Sequence, residues 1–217
     1  MENKLLRTAD CSRTWDLTYV DPRAEKRITA VAVDFFNPKT VYAATSAGDV
    51  LKSVDGAQSW TSVRTFNDQV MKIVMNAADS RRLYVALKKN GVWRSDDAGA
   101  TWKDLSPNYK QFADAKDFTD MAVGVSDPGI TVVASKYGLL RTSDAGESWQ
   151  SIPLLTPPGT TLIYSLAIAP KDANTIYYGT STTFFRTVNG GSNWVPKKLP
   201  TSRTATALLV DRSNSEV

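Results

Sequence analysis

Carboxylates, cations and aromatic rings are the side chains with which this sequence could do chemistry, because its 217 residues include no histidine and a single cysteine, Cys11. The lack of histidine removes the commonest general base and the commonest zinc ligand. A single cysteine excludes a disulfide within the chain. No zinc spacing, calcium loop or glycine-rich phosphate loop occurs either. The sequence therefore predicts neither a metal site nor a cofactor.

Cationic and aromatic residues concentrate in segments that the sequence predicts to be loops, the longest of which are 106–117 and 21–27. Side chains of these two kinds together suit a peptide, a sugar or an acidic partner. Ordinary solvated loop residues are the alternative for each position. The candidate ligand contacts on these loops are Arg23, Arg27, Lys88, Lys89, Tyr109, Phe112, Lys136 and Tyr137.

Two further candidates, Lys72 and Asp120, lie within apolar segments rather than in loops. They occupy the same position in successive copies of an alternating run, where other copies carry Ala30, Ser165 and Ala207. If these runs are neighbouring strands, the two charges lie at the same depth and line a common channel. A couple that is either solvated or mutually paired is the favoured interpretation, and contact with a ligand is the alternative.

The elements that would position these residues follow from an internal repeat. Five of the six tryptophans recur at intervals of 42 to 47 residues, each with Asp or Asn five positions earlier and Ser or Thr seven positions earlier. The five pairs are Asp10 and Trp15, Asp55 and Trp60, Asp97 and Trp102, Asp144 and Trp149, and Asn189 and Trp194. Such a period is typical of solenoids and propellers.

Each interval also contains an alternating apolar run, a turn, a second β-rich run and a short third run that ends in a basic residue. Four short strands per period, without a helical pattern, indicate a propeller blade. The sequence therefore predicts an all-β protein, a β-propeller of about five four-stranded antiparallel blades, as a single domain over residues 1–217. The predicted repeats are 1–20 (partial), 28–65, 70–106, 118–153, 163–199 and 205–217 (partial).

The two partial repeats are complementary. Residues 3–20 supply a third and a fourth strand, whereas residues 205–211 supply a first strand. One composite blade formed from both termini would close the ring. A fragment of a larger ring is the alternative.

The segment that ends at each tryptophan is predicted to be the hairpin turn between the third and fourth strands. A short Asp side chain accepts hydrogen bonds from its own turn, and a glycine such as Gly99 supplies positive φ. This pattern resembles the Asp-box, or BNR, repeat of sialidases, xyloglucanase-type glycoside hydrolases, sortilin-type receptors and photosystem II assembly factors. Ser12 and Ala57 depart from it at the glycine position. The resemblance implies a structural hairpin on the outer rim, with no chemistry of its own.

The resemblance also indicates where catalytic residues would lie. The xyloglucanase-type segment Tyr-Ala-Arg-Thr-Asp-Ile-Gly-Gly is matched most nearly by residues 42–49, where Ser46 replaces the acid. Serine cannot act as a carboxylate acid or nucleophile. The Arg-Ile-Pro element of the sialidases does not occur. No catalytic residue is predicted, and the favoured function is a non-catalytic binding or scaffold propeller that engages a protein or another ligand through its loop face. A lectin-like carbohydrate-binding propeller and a glycoside hydrolase remnant are the alternatives.

Basic residues also recur immediately before the turns, as Arg7, Lys52, Arg94, Arg141 and Arg186. Packing of their aliphatic stems against a tryptophan or a neighbouring strand is favoured over a ring of cations for an anionic ligand.

Charge and hydropathy restrict the partners. The net charge of +4 is spread along the chain, so no nucleic-acid partner is predicted, and no apolar stretch is long enough for membrane insertion. A protein or glycan ligand remains. The N-terminal residues lack a signal-peptide pattern, although the resemblance favours an extracellular or cell-envelope location.

Overall fold

The computed structural model describes residues 3–201 and 203–211, almost entirely as β-strands and turns. The strands are β1 (Lys4–Arg7), β2 (Asp16–Val20), β3 (Ile28–Val33), β4 (Val41–Thr45), β5 (Asp49–Ser53), β6 (Thr61–Thr65), β7 (Val70–Met75), β8 (Leu83–Leu87), β9 (Val92–Ser95), β10 (Lys103–Asp104), β11 (Phe118–Val123), β12 (Thr131–Ser135), β13 (Gly138–Thr142), β14 (Gln150–Ile152), β15 (Ser165–Ala169), β16 (Asp172–Gly179), β17 (Thr183–Thr187) and β18 (Val195–Lys198). A short 3-10 helix, Ser106–Tyr109, lies between β10 and β11.

The strands form successive antiparallel sheets in chain order. We call β3–β6, β7–β10, β11–β14 and β15–β18 the first to fourth blades, and β1–β2 the N-terminal hairpin. The first strand of each blade contacts the first strand of the next, β3 with β7, β7 with β11 and β11 with β15. The predicted all-β propeller of repeated four-stranded units is confirmed.

The chain ends differ in detail from the predicted composite blade. The N-terminal hairpin is a two-stranded sheet, and residues 203–211 carry no strand assignment. The Ser165 hydroxyl donates to the Ala205 carbonyl at 2.9 Å, and residues 208–210 line a shallow cavity together with Tyr177 and Phe184 of the fourth blade. Within the described residues no sheet is therefore shared by the two ends. The remainder of the predicted C-terminal repeat, residues 212–217, lies outside the described residues.

The core lies between the blades rather than within one of them. The second strands β4, β8 and β12 are buried at all five of their positions, as expected for apolar, β-branched runs covered on both faces. One cluster joins Tyr42 and Val50 of the first blade to Ile73 and Val85 of the second. Stacking of successive sheets therefore supplies the hydrophobic stabilisation.

The five turns between third and fourth strands have one common geometry, and we call them the aspartate turns. The side-chain Oδ1 of Asp or Asn accepts a hydrogen bond from the backbone N–H four residues later, at 2.8–3.0 Å. The hydroxyl two residues before it accepts a second backbone N–H. The predicted use of these side chains within their own turns is confirmed.

The glycine position of the aspartate turns has positive φ in every copy. Gly99 has φ 92°, and Ser12 and Ala57 adopt φ 68° at the same position despite their Cβ atoms. At Gly146 a Cβ would also lie 2.5 Å from the Leu105 side chain of the preceding blade. Glycine there permits both the turn and the close approach of the blades.

The Asp144 carboxylate, in the fourth aspartate turn, should make the free energy of unfolding depend on pH in the acid range. Burial tends to raise the pKa of Asp144, but hydrogen bonds from Ser148 and Thr142 outweigh this effect and lower the pKa from 3.8 to about 2. Because the folded-state pKa is the lower one, this stabilisation is present above about pH 4 and is lost as the pH falls towards 2. The Asp144→Asn variant does not titrate, yet it keeps the Oδ1 acceptor that Asn189 uses in the fifth turn.

We therefore expect the urea midpoint of the unmodified chain to fall more steeply than that of Asp144→Asn between pH 4 and pH 2. Urea titrations at several pH values measure this difference. Parallel midpoint curves for the two proteins would contradict it.

Candidate functional site

The strand register separates the loops into two faces. Ile28 pairs with Thr45, and Val33 pairs with Val41. The turn between β4 and β5 therefore lies at the end where β3 begins, and the turn between β3 and β4 lies at the opposite end with the aspartate turns. We call the first end, with the connections between blades, the loop face. It carries all the predicted loop candidates.

Arg23 joins the N-terminal hairpin to the first blade. Its guanidinium donates to the buried carboxylate of Asp21 at 2.8 Å and to Asp49 at the start of β5. The hydrogen bond from Arg23 lowers the pKa of Asp21; at Asp49, burial opposes the lowering that Arg23 and two threonines produce. Arg27 lies in the same connection, where its backbone N–H donates to the Ser46 hydroxyl and its carbonyl accepts the Ser46 backbone N–H. The Arg23 guanidinium is thus held in a double ion pair between the two units.

Lys72 and Asp120 are brought together as the sequence predicts. Lys72 Nζ lies 2.5 Å from Asp120 Oδ1. The other carboxylate oxygen accepts the backbone N–H of Leu166 at 2.7 Å. Asp120 therefore links the second, third and fourth blades at the inner strands. The pair is the mutually compensated couple that the sequence favours.

Tyr109 is not an exposed ligand contact, and the sequence prediction for this residue is wrong. Its ring is 2% exposed and packs against Trp149 with centroids 5.4 Å apart. The phenolic oxygen accepts the backbone N–H of Val92 at 2.9 Å. Burial raises the pKa of Tyr109 well above its ordinary value. The short 3-10 helix turns this ring inward, where it occupies the space that the absent side chain of Gly91 leaves.

Phe112, Lys136 and Tyr137 lie together on the loop face. The Phe112 and Tyr137 rings contact each other with centroids 5.1 Å apart, and Lys136 Nζ lies 2.9 Å from the Asp114 carboxylate. The Tyr137 hydroxyl donates to Ser151 Oγ at 3.3 Å. These residues come from the loop before β11 and from the turn between β12 and β13.

A groove adjoins this cluster. It has a volume of about 540 Å³ and runs from Tyr137 along the outer strand β14 and the following connection. Its further walls are Gly138, Leu139, Ser151, Ile152, Pro153, Leu154, Leu155, Thr156, Pro157 and Pro158. We call the groove, with Phe112 and Tyr137 at one end, the aromatic groove. Residues 153–158 are not among the candidates that the sequence predicts, although the Pro157-Pro158-Gly159 run marks an irregular connection.

The remaining candidates are not part of this cluster. Lys88 and Lys89 are exposed on the turn between β8 and β9, in the second blade. The backbone N–H of Lys89 donates to Asp68 Oδ2 at 2.7 Å, which fixes the turn rather than the ammonium group. The predicted contacts thus divide among three blades, and only the third blade gathers several of them around a concave surface.

Two absences concern the described part of the chain. Residues 3–201 and 203–211 contain no group of three or more Cys, Asp or Glu side chains arranged to hold a metal ion. The same residues include no helix that is long and apolar enough to cross a membrane.

The Lys72–Asp120 pair should be a stability determinant. The variant Asp120→Ala leaves the Lys72 ammonium and the Leu166 N–H without their acceptor, and we expect it to lower the free energy of unfolding by about 2 kcal/mol. Lys88→Ala is the control, since this exposed lysine should change stability by less than about 0.5 kcal/mol. Urea denaturation monitored by tryptophan fluorescence measures both. Equal stabilities would show that the pair carries no structural energy.

The hydroxyl groups of Tyr109 and Tyr137 should contribute differently to stability. Tyr109→Phe removes the acceptor for the buried Val92 N–H, and we expect a loss of about 1–2 kcal/mol. Tyr137→Phe removes a half-exposed hydroxyl and should cost less than about 0.5 kcal/mol. Thermal and urea unfolding of the two variants test this order, and a larger loss for Tyr137→Phe would refute the structural assignment of Tyr109.

The sequence has relatives among the xyloglucanases, although no protein-family model matches it. A xyloglucanase from Paenibacillus sp is 26% identical over 189 residues, which cover 77% of this chain and 16% of that protein. A probable oligoxyloglucan-reducing end-specific xyloglucanase from Neosartorya fischeri is 28% identical over 162 residues, covering 65% and 19%. The chain spans about a fifth of the length of these curated relatives.

Solved structures give the fold comparison. The GH74 xyloglucanase from Xanthomonas campestris superposes with a TM-score of 0.79 at 16% identity, over 99% of this chain and 39% of that one. YCF48 from Cyanidioschyzon merolae gives 0.64 at 20% identity, over 88% and 62%. A structure of YCF48 bound to D1 peptide gives 0.55 at 14% identity, over 89% and 75%. The chain is therefore a β-propeller similar in fold to both kinds of protein.

Proposed function

We propose that this chain is a non-catalytic binding propeller that holds an extended polypeptide in the aromatic groove of its loop face. The observation that carries the proposal is the groove itself, a concave surface beside the contacting Phe112 and Tyr137 rings. Apolar concave surfaces with a few polar groups are typical binding sites. Lys136 and Asp114 place a compensated ion pair at its rim.

The chemistry of the walls favours a polypeptide over a sugar. Leu154, Leu155 and Pro157 present apolar surface, and Leu155 is largely exposed. The polar groups at the aromatic end are few, and the Tyr137 and Ser151 hydroxyls already bond to each other. A sugar needs several free hydrogen-bonding groups besides an aromatic platform, whereas apolar side chains of a peptide need shape and area. A propeller of this fold, YCF48, has been solved with a bound D1 peptide.

The carboxylates of the loop face support a non-catalytic function. Glycoside hydrolysis uses a pair of carboxyl groups, one of them an acid with a raised pKa. Asp49, Asp114 and Asp120 are ion-paired, and Asp68 accepts backbone N–H groups. In the described residues every resolved shift of a carboxyl pKa is downward, because these groups accept hydrogen bonds or lie beside cations.

The aspartate turns are, we propose, Asp-box (BNR) repeats. Their shared hydrogen bonds, positive φ values and terminal tryptophans support this assignment. The turns lie opposite the loop face, so binding is left to the connections between blades. An extracellular or cell-envelope location is part of the same proposal and rests on the resemblance alone; fractionation of cells that express the protein tests it.

A glucan oligosaccharide is the second candidate ligand. The Phe112–Tyr137 aromatic surface and the names of the curated relatives favour it. A hydrolase remnant would still bind glucan in the aromatic groove, but it would lack the catalytic acid that Ser46 replaces.

Peptide-array and glycan-array binding by the whole chain tests the proposal. We expect peptides with apolar or aromatic anchors to bind, and Tyr137→Ala to weaken that binding by about tenfold, as for loss of one aromatic anchor. Phe36→Ala is the matched control, since this exposed ring lies in the turn between β3 and β4 on the opposite face.

The arrays also distinguish the alternatives. Binding confined to xyloglucan oligosaccharides and lost in Tyr137→Ala would support the glucan candidate. Release of sugar from xyloglucan would support an enzyme. Peptide binding that Tyr137→Ala leaves unchanged would refute the aromatic groove as the site.

A further inference from the structure

Arg64 occupies a position in the first blade that is apolar in the third blade. On β6 it pairs with Val50 of β5, and the corresponding pair in the third blade is Leu139 with Ile152. Ile152 is buried, whereas Arg64 is partly exposed. The first blade therefore carries a permanent positive charge where the third blade has a core residue.

Two aromatic rings hold the Arg64 guanidinium. Its Cζ lies 5.0 Å from the centroid of the Phe66 ring and 5.1 Å from the centroid of the Trp93 ring. The two rings contact each other edge to face with centroids 5.4 Å apart, and both pack in the core cluster between the first and second blades. Cation–π contact with two packed rings restricts the positions that the guanidinium can adopt.

The N–H groups of this guanidinium have no acceptor in the described part of the chain. Among residues 3–201 and 203–211, no oxygen accepts a hydrogen bond from the Arg64 side chain, and no carboxylate forms an ion pair with it. The other arginines of the second and third blades each donate to an oxygen of the chain, and these are Arg81, Arg82, Arg94 and Arg141. Stacking thus fixes a planar fork of donors whose hydrogen bonds are open to another molecule.

The Trp93 ring carries a further donor without an acceptor. Its Nε1 is buried and makes no hydrogen bond to any residue that the structure describes. The Nε1 of Trp102 and of Trp149 in the aspartate turns, by contrast, donates to a glycine carbonyl. Because no hydrogen bond fixes the Trp93 ring, its surroundings are set by its aromatic and cationic neighbours. Its fluorescence should therefore report changes at Arg64.

Two lysines that the sequence predicts as ligand contacts lie on the adjoining turn of the second blade. The backbone N–H of Lys88 donates to the Gln69 carbonyl at 2.9 Å. The backbone N–H of Lys89 donates to Asp68 Oδ2 at 2.7 Å, so the segment that follows Arg64 is bonded to this turn. Both lysines are exposed, and neither ammonium group forms an ion pair with a described residue. The loop-face edge between the first two blades thus gathers three cations.

The carboxylates of this edge do not neutralise those cations. Asp68 accepts two backbone N–H groups of the turn between β8 and β9. Asp104, opposite Trp93 on β10, accepts the Ser106 N–H at 2.8 Å. Both acids therefore order the loops, and three cations against two carboxylates leave a net positive charge that attracts anions.

We propose that Arg64 is the centre of a binding site for an oxyanion, a carboxylate or phosphate group, at the loop-face edge between the first and second blades. The guanidinium, fixed over Phe66 and Trp93, donates two parallel hydrogen bonds to one such group, as its planar fork favours. Lys88 and Lys89 attract the anion from solution. The site is separate from the aromatic groove and does not depend on the polypeptide ligand proposed there.

Calorimetric titration at neutral pH and fixed ionic strength tests the site, with inorganic phosphate and citrate as separate probes. We expect saturable binding to the unmodified chain, and a change in tryptophan fluorescence that Trp93→Phe abolishes. Arg64→Gln should weaken binding by at least about tenfold, as for loss of a charge-assisted bidentate contact. Arg13→Gln is the matched control, since it removes the same charge from an exposed residue of the first aspartate turn.

Further variants separate the geometry of the fork from its charge. Arg64→Lys keeps the charge but not the planar fork, so it should weaken binding less than Arg64→Gln does. Joint replacement of Lys88 and Lys89 by alanine should weaken binding by about threefold and reduce its dependence on salt, because these lysines act through charge alone. Tyr137→Ala should leave oxyanion binding unchanged.

The choice of probe identifies the ligand group. Binding of phosphate alone would assign a phosphate group to the site, and binding of citrate alone would assign carboxylates. Absence of saturable binding for both probes, or equal affinities of Arg64→Gln and Arg13→Gln, would overturn the proposal. Circular dichroism shows whether each variant is folded. If Arg64→Gln is not, Arg64→Lys decides, since an affinity equal to that of the unmodified chain would overturn the fork.

Discussion

The packing of one sheet on the next is the constraint from which the rest of this structure follows. In the first three blades the second strand is buried throughout, so these blades cannot cover their own apolar surface. A neighbour is required on both sides. Successive first strands then meet around the axis, where charged residues such as Lys72 and Asp120 must be compensated by one another.

Hydrogen bonds at the rim also help to hold successive blades together. The aspartate turns satisfy their own backbone groups, as Asp144 does. Basic side chains then join three of these turns to the preceding unit, as Arg94 does by donating to the Ala145 carbonyl. Because these residues are used in every unit, the repeat itself offers little chemistry to a ligand. The proposed binding site accordingly lies at connections in which the repeat is irregular, 106–117 and 153–164. The aromatic groove lies where those two connections meet the third blade.

The composition of a loop does not show which of its charged and aromatic side chains are free to contact a ligand. Arg23 and Tyr109 have side chains that suit a ligand, yet one holds the hairpin to the first blade and the other completes the hydrogen bonding of Val92. Because β10 is only two residues long, the Val92 N–H on the adjacent strand has no ladder partner, and the Tyr109 hydroxyl supplies the acceptor. Nothing in the local sequence distinguishes such a tyrosine from an exposed one such as Tyr137.

The sequence by itself determined the all-β class, the four-stranded unit, the aspartate turns and the common depth of Lys72 and Asp120. These follow from periodicity and local turn chemistry, which neighbouring residues decide. Only the tertiary structure decided which loop residues are buried and where the aromatic groove lies. Those properties depend on how separate connections and blades meet across distances of tens of residues, and no pattern within one repeat encodes them.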